Sequence, residues 1–160
     1  MLEEALNPAA LTYGTGLGSG QFNASSSIGG SFSYNQAAGT ILAAGPQTLT
    51  ATFTPSDLVN YTAQTVSATL TVNKATLTLT ANSASRPYNT ANPVFTGTLA
   101  GAVNGDSFTE SFATPATIAS IAGTYPITPS AVGTALGNYT VAASNGVLTI
   151  TAASTDGVMG

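Results

Sequence analysis

Eight side chains of this 160-residue chain carry formal charge, namely Lys74, Arg86, Glu3, Glu4, Asp57, Asp106, Glu110 and Asp156, and the chain has no His and no Cys. Without those two residue types, Ser-His-Asp and Cys-His catalysis, thiolate metal sites and disulfides are all excluded. Outside the adjacent Glu3-Glu4, the closest carboxylates are Asp106 and Glu110. Four residues apart across a turn and the start of a strand, they do not share a face, so no acid/base pair is formed. A calcium site at a domain junction needs several acids, whereas the junction here supplies Asn73 and Lys74. An isopeptide bond from Lys74 would need an Asn partner and a buried carboxylate beside it; no paired signal exists, and Lys74 reads as a solvated linker charge. The expectation is a protein that is not an enzyme and holds no cofactor and no metal.

Two cations cannot neutralise a run of phosphates, so neither nucleic acid nor an anionic membrane surface is an expected partner. No apolar run approaches the roughly 18 residues that cross a bilayer. The acidic opening Met1-Leu2-Glu3-Glu4 is unlike a signal peptide, so a secreted origin would make this an excised or processed segment. With 43% hydrophobic residues and 5% charged ones, the chain has enough apolar side chains to fold, and its surface must be made of neutral Thr, Ser, Asn, Gly and Ala.

The elements that would position any site are set by a repeat. Thr54-Pro55-Ser56, Asn60-Tyr61-Thr62 and Leu70-Thr71-Val72 recur as Thr128-Pro129-Ser130, Asn138-Tyr139-Thr140 and Leu148-Thr149-Ile150, with seven residues between the last two motifs in both copies. The offsets are 74 residues (54 to 128) and 78 residues (60 to 138). The repeat predicts two domains, 1–73 and 74–153, followed by a polar tail over 154–160. Each unit of about 75 residues buries only about 60% of its unfolded surface.

Leu49, Ala51 and Phe53 alternate with threonines, Val66, Ala68, Leu70 and Val72 with Ser67, Thr69 and Thr71, and Leu77 and Leu79 again with threonines. Period two with one apolar face predicts half-buried strands. Further strands are expected at Leu6–Tyr13 (an edge strand, given Pro8), Phe22–Ala24, Ser31–Tyr34, Val94–Leu99, Phe108–Phe112 and Thr124–Thr128. A single long strand is expected from Tyr139 to Ile150. Gly14, Gly16, Gly18 and Gly20 lack the following helix and acidic partner of a phosphate loop and read as turn material. No stretch shows helical spacing. The predicted fold is all-β: two tandem Ig-like Greek-key β-sandwiches with essentially no helix.

In Greek-key sandwiches a Tyr near a strand start can return its hydroxyl to backbone a few residues upstream. Asn60-Tyr61 and Asn138-Tyr139 have that layout, so these four residues are the structural site expected from sequence, as tyrosine corners. The corner also accounts for their match to the glycosylation sequon, which Asn23-Ala24-Ser25 satisfies as well. Sugar stacking by the tyrosines is disfavoured by the lack of Trp and the scarcity of acids.

Leu11-Thr12-Tyr13-Gly14-Thr15, Gln21-Phe22-Asn23-Ala24, Ala38-Gly39-Thr40 and Phe53-Thr54-Pro55-Ser56-Asp57 resemble the Ig-like repeats of long bacterial surface proteins. Tyr88-Asn89, Ala91-Asn92-Pro93, Val103-Asn104-Gly105-Asp106, Gly123-Thr124-Tyr125-Pro126-Ile127 and Asn145-Gly146-Val147-Leu148-Thr149-Ile150 are similar to the "mostly β, glycine-rich" (MBG) domain of such proteins. Asn89 departs from the Gly usual after that Tyr, so the turn must rely on Asn accepting positive φ. The resemblance implies an extracellular, cell-surface stalk or adhesin repeat whose partners are neighbouring repeats or copies of itself. Two other functions are open: a filament subunit exchanging edge strands (Leu2–Leu11 and Val147–Ala153), and a weak glycan- or ice-binding module using the rows Thr48, Thr50, Thr52, Thr54 and Thr76, Thr78, Thr80.

Overall fold

The computed structural model describes residues 4–153. The expected polar tail, Leu2 and Glu3 lie outside the described residues. The strands are β1 (Glu4–Ala5), β2 (Leu11–Thr12), β3 (Ser25–Ser26), β4 (Gly30–Tyr34), β5 (Gly45–Pro55), β6 (Gln64–Asn73), β7 (Ala75–Ala81), β8 (Ala84–Pro87), β9 (Gly97–Ala100), β10 (Thr109–Ala113), β11 (Gly123–Val132), β12 (Tyr139–Ser144) and β13 (Gly146–Thr151). A 3-10 turn at Leu136–Asn138 is the sole helical element among the described residues. The fold is all-β, built from several sheets.

The chain separates into two compact units, one of Met1–Ala75 with Gly137–Tyr139, the other of Thr76–Leu136 with Thr140–Gly160. The break after Ala75 lies two residues beyond the boundary expected at Asn73. In the first unit the main sheet runs β2-β6-β5-β4, and in the second β8-β13-β11-β10. The pairings match step for step: β2 is parallel to β6 and β8 to β13, while the remaining pairs are antiparallel. A second sheet accompanies each, β1-β3 in the first unit and β12-β7-β9 in the second.

The alternating pattern is what fills the interior. Along β5, Leu49, Ala51 and Phe53 are buried while the intervening threonines are not, and Leu77 and Leu79 of β7 are fully buried. In the second unit Ala81, Ala116, Ile127, Leu148 and Ile150 form one core cluster, with Phe95, Phe112 and Tyr125 packed against it. On the outward faces, hydroxyls opposite one another pair across strands: Thr50 with Ser67 at 2.9 Å and Ser111 with Ser130 at 2.6 Å.

Three sequence expectations change. Of the edge strand expected at Leu6–Tyr13 only Leu11–Thr12 is a strand, because Pro8 cannot continue a ladder; Glu4–Ala5, ahead of it, joins a different sheet. Phe22–Ala24 is not a strand; the Gln21 and Phe22 N–H groups close a turn on the Gly18 carbonyl. The single strand expected from Tyr139 to Ile150 is broken at Asn145, with β12 in one sheet and β13 in the other. Gly146 permits this crossing: a Cβ there would lie 2.5 Å from the Asn82 carbonyl oxygen.

Asn89 has φ 63°, as the departure from Gly required, and Asn104 (φ 59°) with Gly105 (φ 70°) forms an Asn-Gly turn closed by Asp106 N–H to the Val103 carbonyl. At Asn89 the left-handed region costs a Cβ-bearing residue about 1 kcal/mol, less for Asn than for other types. Asn89→Ala is therefore expected to lower stability by about 1 kcal/mol, and Asn89→Gly to change it by less than about 0.5 kcal/mol, since Gly's relief of strain is offset by its greater unfolded-state entropy. Urea denaturation of the two variants side by side checks this.

Candidate functional site

The residues singled out by the repeat end in different surroundings. Tyr139 is buried at 3% exposure in the first unit, its ring edge to face with Tyr13 (6% exposed), centroids 5.4 Å apart. Asn138, on the preceding 3-10 turn, accepts the Ala44 N–H through Oδ1 at 2.9 Å. Edge-to-face rings bring the positive rim of one against the negative face of the other, worth about 0.5–1.5 kcal/mol beyond the area they bury.

Tyr61, by contrast, is 37% exposed and lies in the loop between β5 and β6, where its N–H donates to the Asp57 carbonyl at 3.2 Å. That loop is organised by Asp57. Its carboxylate accepts Asn60 Nδ2 at 2.7 Å and the N–H groups of Val59 and Asn60 at 3.0 and 3.1 Å. These bonds favour the ionised form, the Asn60 side chain most, and hold the Asp57 carboxyl below the usual carboxylate range.

The hydroxyl-to-upstream-carbonyl bond expected of Tyr61 is made instead by Tyr125, whose hydroxyl donates to the Ile121 carbonyl, four residues back, at 2.8 Å. Tyr125 stands near the start of β11, directly after Gly123 (φ 151°) and Thr124. Gly-Thr-Tyr before an alternating run was the available signal. Tyr61 lies outside the strands, ahead of Gln64, the first residue of β6. Tyr125→Phe is expected to cost about 1 kcal/mol, the net value of one hydrogen bond, with the ring retained in the core. Tyr61→Phe should cost less than about 0.5 kcal/mol. Thermal unfolding of the pair separates them.

Arg86, the single arginine, is also more than sequence reading suggested. It is buried at 5% exposure on β8. Its Nε donates to Asn92 Oδ1 at 2.7 Å, Nη2 to the Thr117 carbonyl at 2.6 Å and Nη1 to the Pro87 carbonyl at 3.3 Å. Asn92 in turn donates Nδ2 to the Ala116 carbonyl at 3.0 Å. The guanidinium thus ties the loop after β8 to the loop before β11. In the first unit a neutral residue does comparable work: buried Gln21 donates to the Ala9 carbonyl and accepts the Gly18 N–H. Arg86 stands out only as one of two cations in a chain with few charges, which hinted that it is there for its donors.

Lys74 is exposed between β6 and β7. Among the described residues no group of three His, Cys, Asp or Glu side chains could hold a metal ion, and no helix is long and apolar enough to cross a membrane. The arrangement these residues make is therefore one of pinned loops and paired rings at strand ends.

Such a construction defines a class: an all-β protein in which one sheet plan, with a parallel pair between an early strand and the last one, is used twice. Residues 77–149 match the family model of the MBG domain (YGX type), the family the sequence resembled, and Tyr88-Asn89-Thr90 falls within the matched stretch. No curated protein and no solved structure matches the chain.

Proposed function

We propose that the chain is two tandem Ig-like β-sandwich repeats forming a non-enzymatic, extracellular spacer or stalk in a bacterial cell-surface or adhesive protein. The MBG match points to a surface-protein repeat module. The observation that carries the mechanical part of the reading is the parallel pair in each unit, Leu11–Thr12 beside Val72–Asn73 and Ala84–Pro87 beside Leu148–Thr151. Tension drawing the two ends of a unit apart pulls parallel neighbours in opposite directions along their axes. Their hydrogen bonds are then loaded together in shear rather than broken one at a time.

Forced unfolding reads the barrier directly, and the lack of native Cys makes handles clean to install. Handles at Asn82→Cys and Ala152→Cys load β8 against β13 in shear; handles at Thr90→Cys and Ala152→Cys peel the same pair from one end. The spacer reading expects a clearly higher unfolding force in the first geometry. Equal forces would remove its mechanical basis. The paired hydroxyls Thr50–Ser67 and Ser111–Ser130 favour this reading over an ice- or glycan-binding face, because they satisfy one another.

A further inference from the structure

The buried ring pair of the first unit draws one member from each of two repeated motifs, Tyr13 from Tyr13-Gly14 and Tyr139 from Asn138-Tyr139-Thr140. The second motif recurs as Asn60-Tyr61-Thr62 and the first, with Asn in place of Gly, as Tyr88-Asn89, and the backbone fixes the correspondence. Tyr13 donates its N–H to the Asn73 carbonyl at 2.8 Å, one residue beyond Val72, which pairs with Leu11. Tyr88 donates its N–H to the Thr151 carbonyl at 2.9 Å, one residue beyond Ile150, which pairs with Arg86. Ala44 precedes Gly45, the partner of Val72; Ala122 precedes Gly123, the partner of Ile150.

Yet the second set is open. Tyr88 is 40% exposed and Tyr61 37%, against 6% and 3% for Tyr13 and Tyr139. Ala122 is exposed where Ala44 is partly covered. The loops pinned by Arg86 carry exposed Val94, Ile118 and Ile121, and Leu58 and Val59 of the loop that holds Tyr61 are exposed as well. With Asn60 Nδ2 held by Asp57, its Oδ1 is left to accept, the role Asn138 Oδ1 plays for Ala44.

We infer that Tyr88 and Tyr61 are the two halves of a second such contact, made between copies of this chain: the Asn60-Tyr61 loop of one molecule seats its ring on Tyr88 of another and its amide oxygen on Ala122 N–H. The occupant follows from the structure, since the same Asn-Tyr-Thr motif already covers the equivalent ring in the first unit. The contact is heterologous, so each molecule offers both halves and association runs head to tail beyond the dimer. It joins side chains and turns, not exchanged strands, and does not depend on the mechanical role proposed above.

Sedimentation equilibrium of the intact chain tests it. A contact of this size predicts a Kd of roughly a millimolar, so wild type should associate beyond the dimer as concentration rises to about 2 mM. Tyr61→Ala and Tyr88→Ala should each weaken association about tenfold or more. An equimolar mixture of the two variants should form a dimer and nothing larger, because each retains the half that the other lacks. Independently of any variant, the ring protons of Tyr61 and Tyr88 should shift with concentration in wild type. A wild type that stays monomeric with unmoved ring signals, single variants that associate like wild type, or a mixture that does not pair would each overturn the inference.

Discussion

Replacing Arg86 by Ala is expected to destabilise the second unit by about 3 kcal/mol, because it removes hydrogen bonds from a charged donor and leaves polar partners unpaired in the interior. The partners are specific: Asn92 Oδ1 and the Thr117 carbonyl lose their donor, and Asn92 loses the anchor that aims it at the Ala116 carbonyl. Ala116 belongs to the core cluster, so loosening its loop also loosens the packing behind it. For a unit of this length, about 3 kcal/mol corresponds to a fall in melting midpoint of roughly 12–20 °C. Arg86→Lys should lose nearly as much, since a point ammonium cannot hold a planar fork of donors in place. All three acceptors are neutral oxygens, so the melting difference between wild type and Arg86→Ala should be nearly unchanged by added salt, which screens charge pairs. Differential scanning calorimetry of the three proteins at low and high salt checks both statements, and a strong salt dependence would show that a carboxylate is involved.

The second large effect is expected at Gly97, the first residue of β9, where Ala is predicted to cost about 2–3 kcal/mol as an overpacked interior position. A Cβ at Gly97 would stand 2.5 Å from Phe112 Cε1 and 2.7 Å from its Cζ, and would also press on the Thr80 carbonyl oxygen. Phe112 packs against the core, and Thr80 belongs to β7, which pairs with β9. The ring can yield only by leaving the core, and the carbonyl only by distorting the β7–β9 ladder. Gly18→Ala is the matched control: nothing lies within 4 Å of its Cβ position, so it should be neutral or slightly stabilising. Chemical denaturation of the two variants should place them on opposite sides of wild type or nearly so. A Gly97→Ala protein as stable as wild type would mean that the sheet yields where the packing says it cannot.

Spacer role and tyrosine contact rest on different residues, and can therefore fail separately. Force measurements interrogate the backbone pairs of β8 and β13, whereas association interrogates exposed rings at Tyr61 and Tyr88. Arg86 is common ground: it stands on β8, two residues before Tyr88, and pins the loops after β8 and before β11 that carry exposed Val94, Ile118 and Ile121. Its loss should accordingly weaken both.

Sequence alone determined whatever depends on local pattern. Alternation in Leu49-Thr50-Ala51-Thr52-Phe53 dictated a strand with one buried face, because side-chain direction alternates in any extended backbone. The lack of His and Cys excluded imidazole- and thiolate-based catalysis. Asn89 after Tyr88 implied a left-handed residue, and φ there is 63°. Tertiary structure alone decided which sheet each strand joined, so that the run from Tyr139 to Ile150 splits at Asn145, and it decided where the one arginine goes. It also separated two identical motifs: Asn138-Tyr139-Thr140 holds a buried ring against Tyr13, while Asn60-Tyr61-Thr62 stands open on a loop. The physical reason is that strand formation is set by neighbours along the chain, whereas burial is set by whatever arrives from elsewhere in it, and for Tyr139 that is a residue more than a hundred positions away (139 against 13).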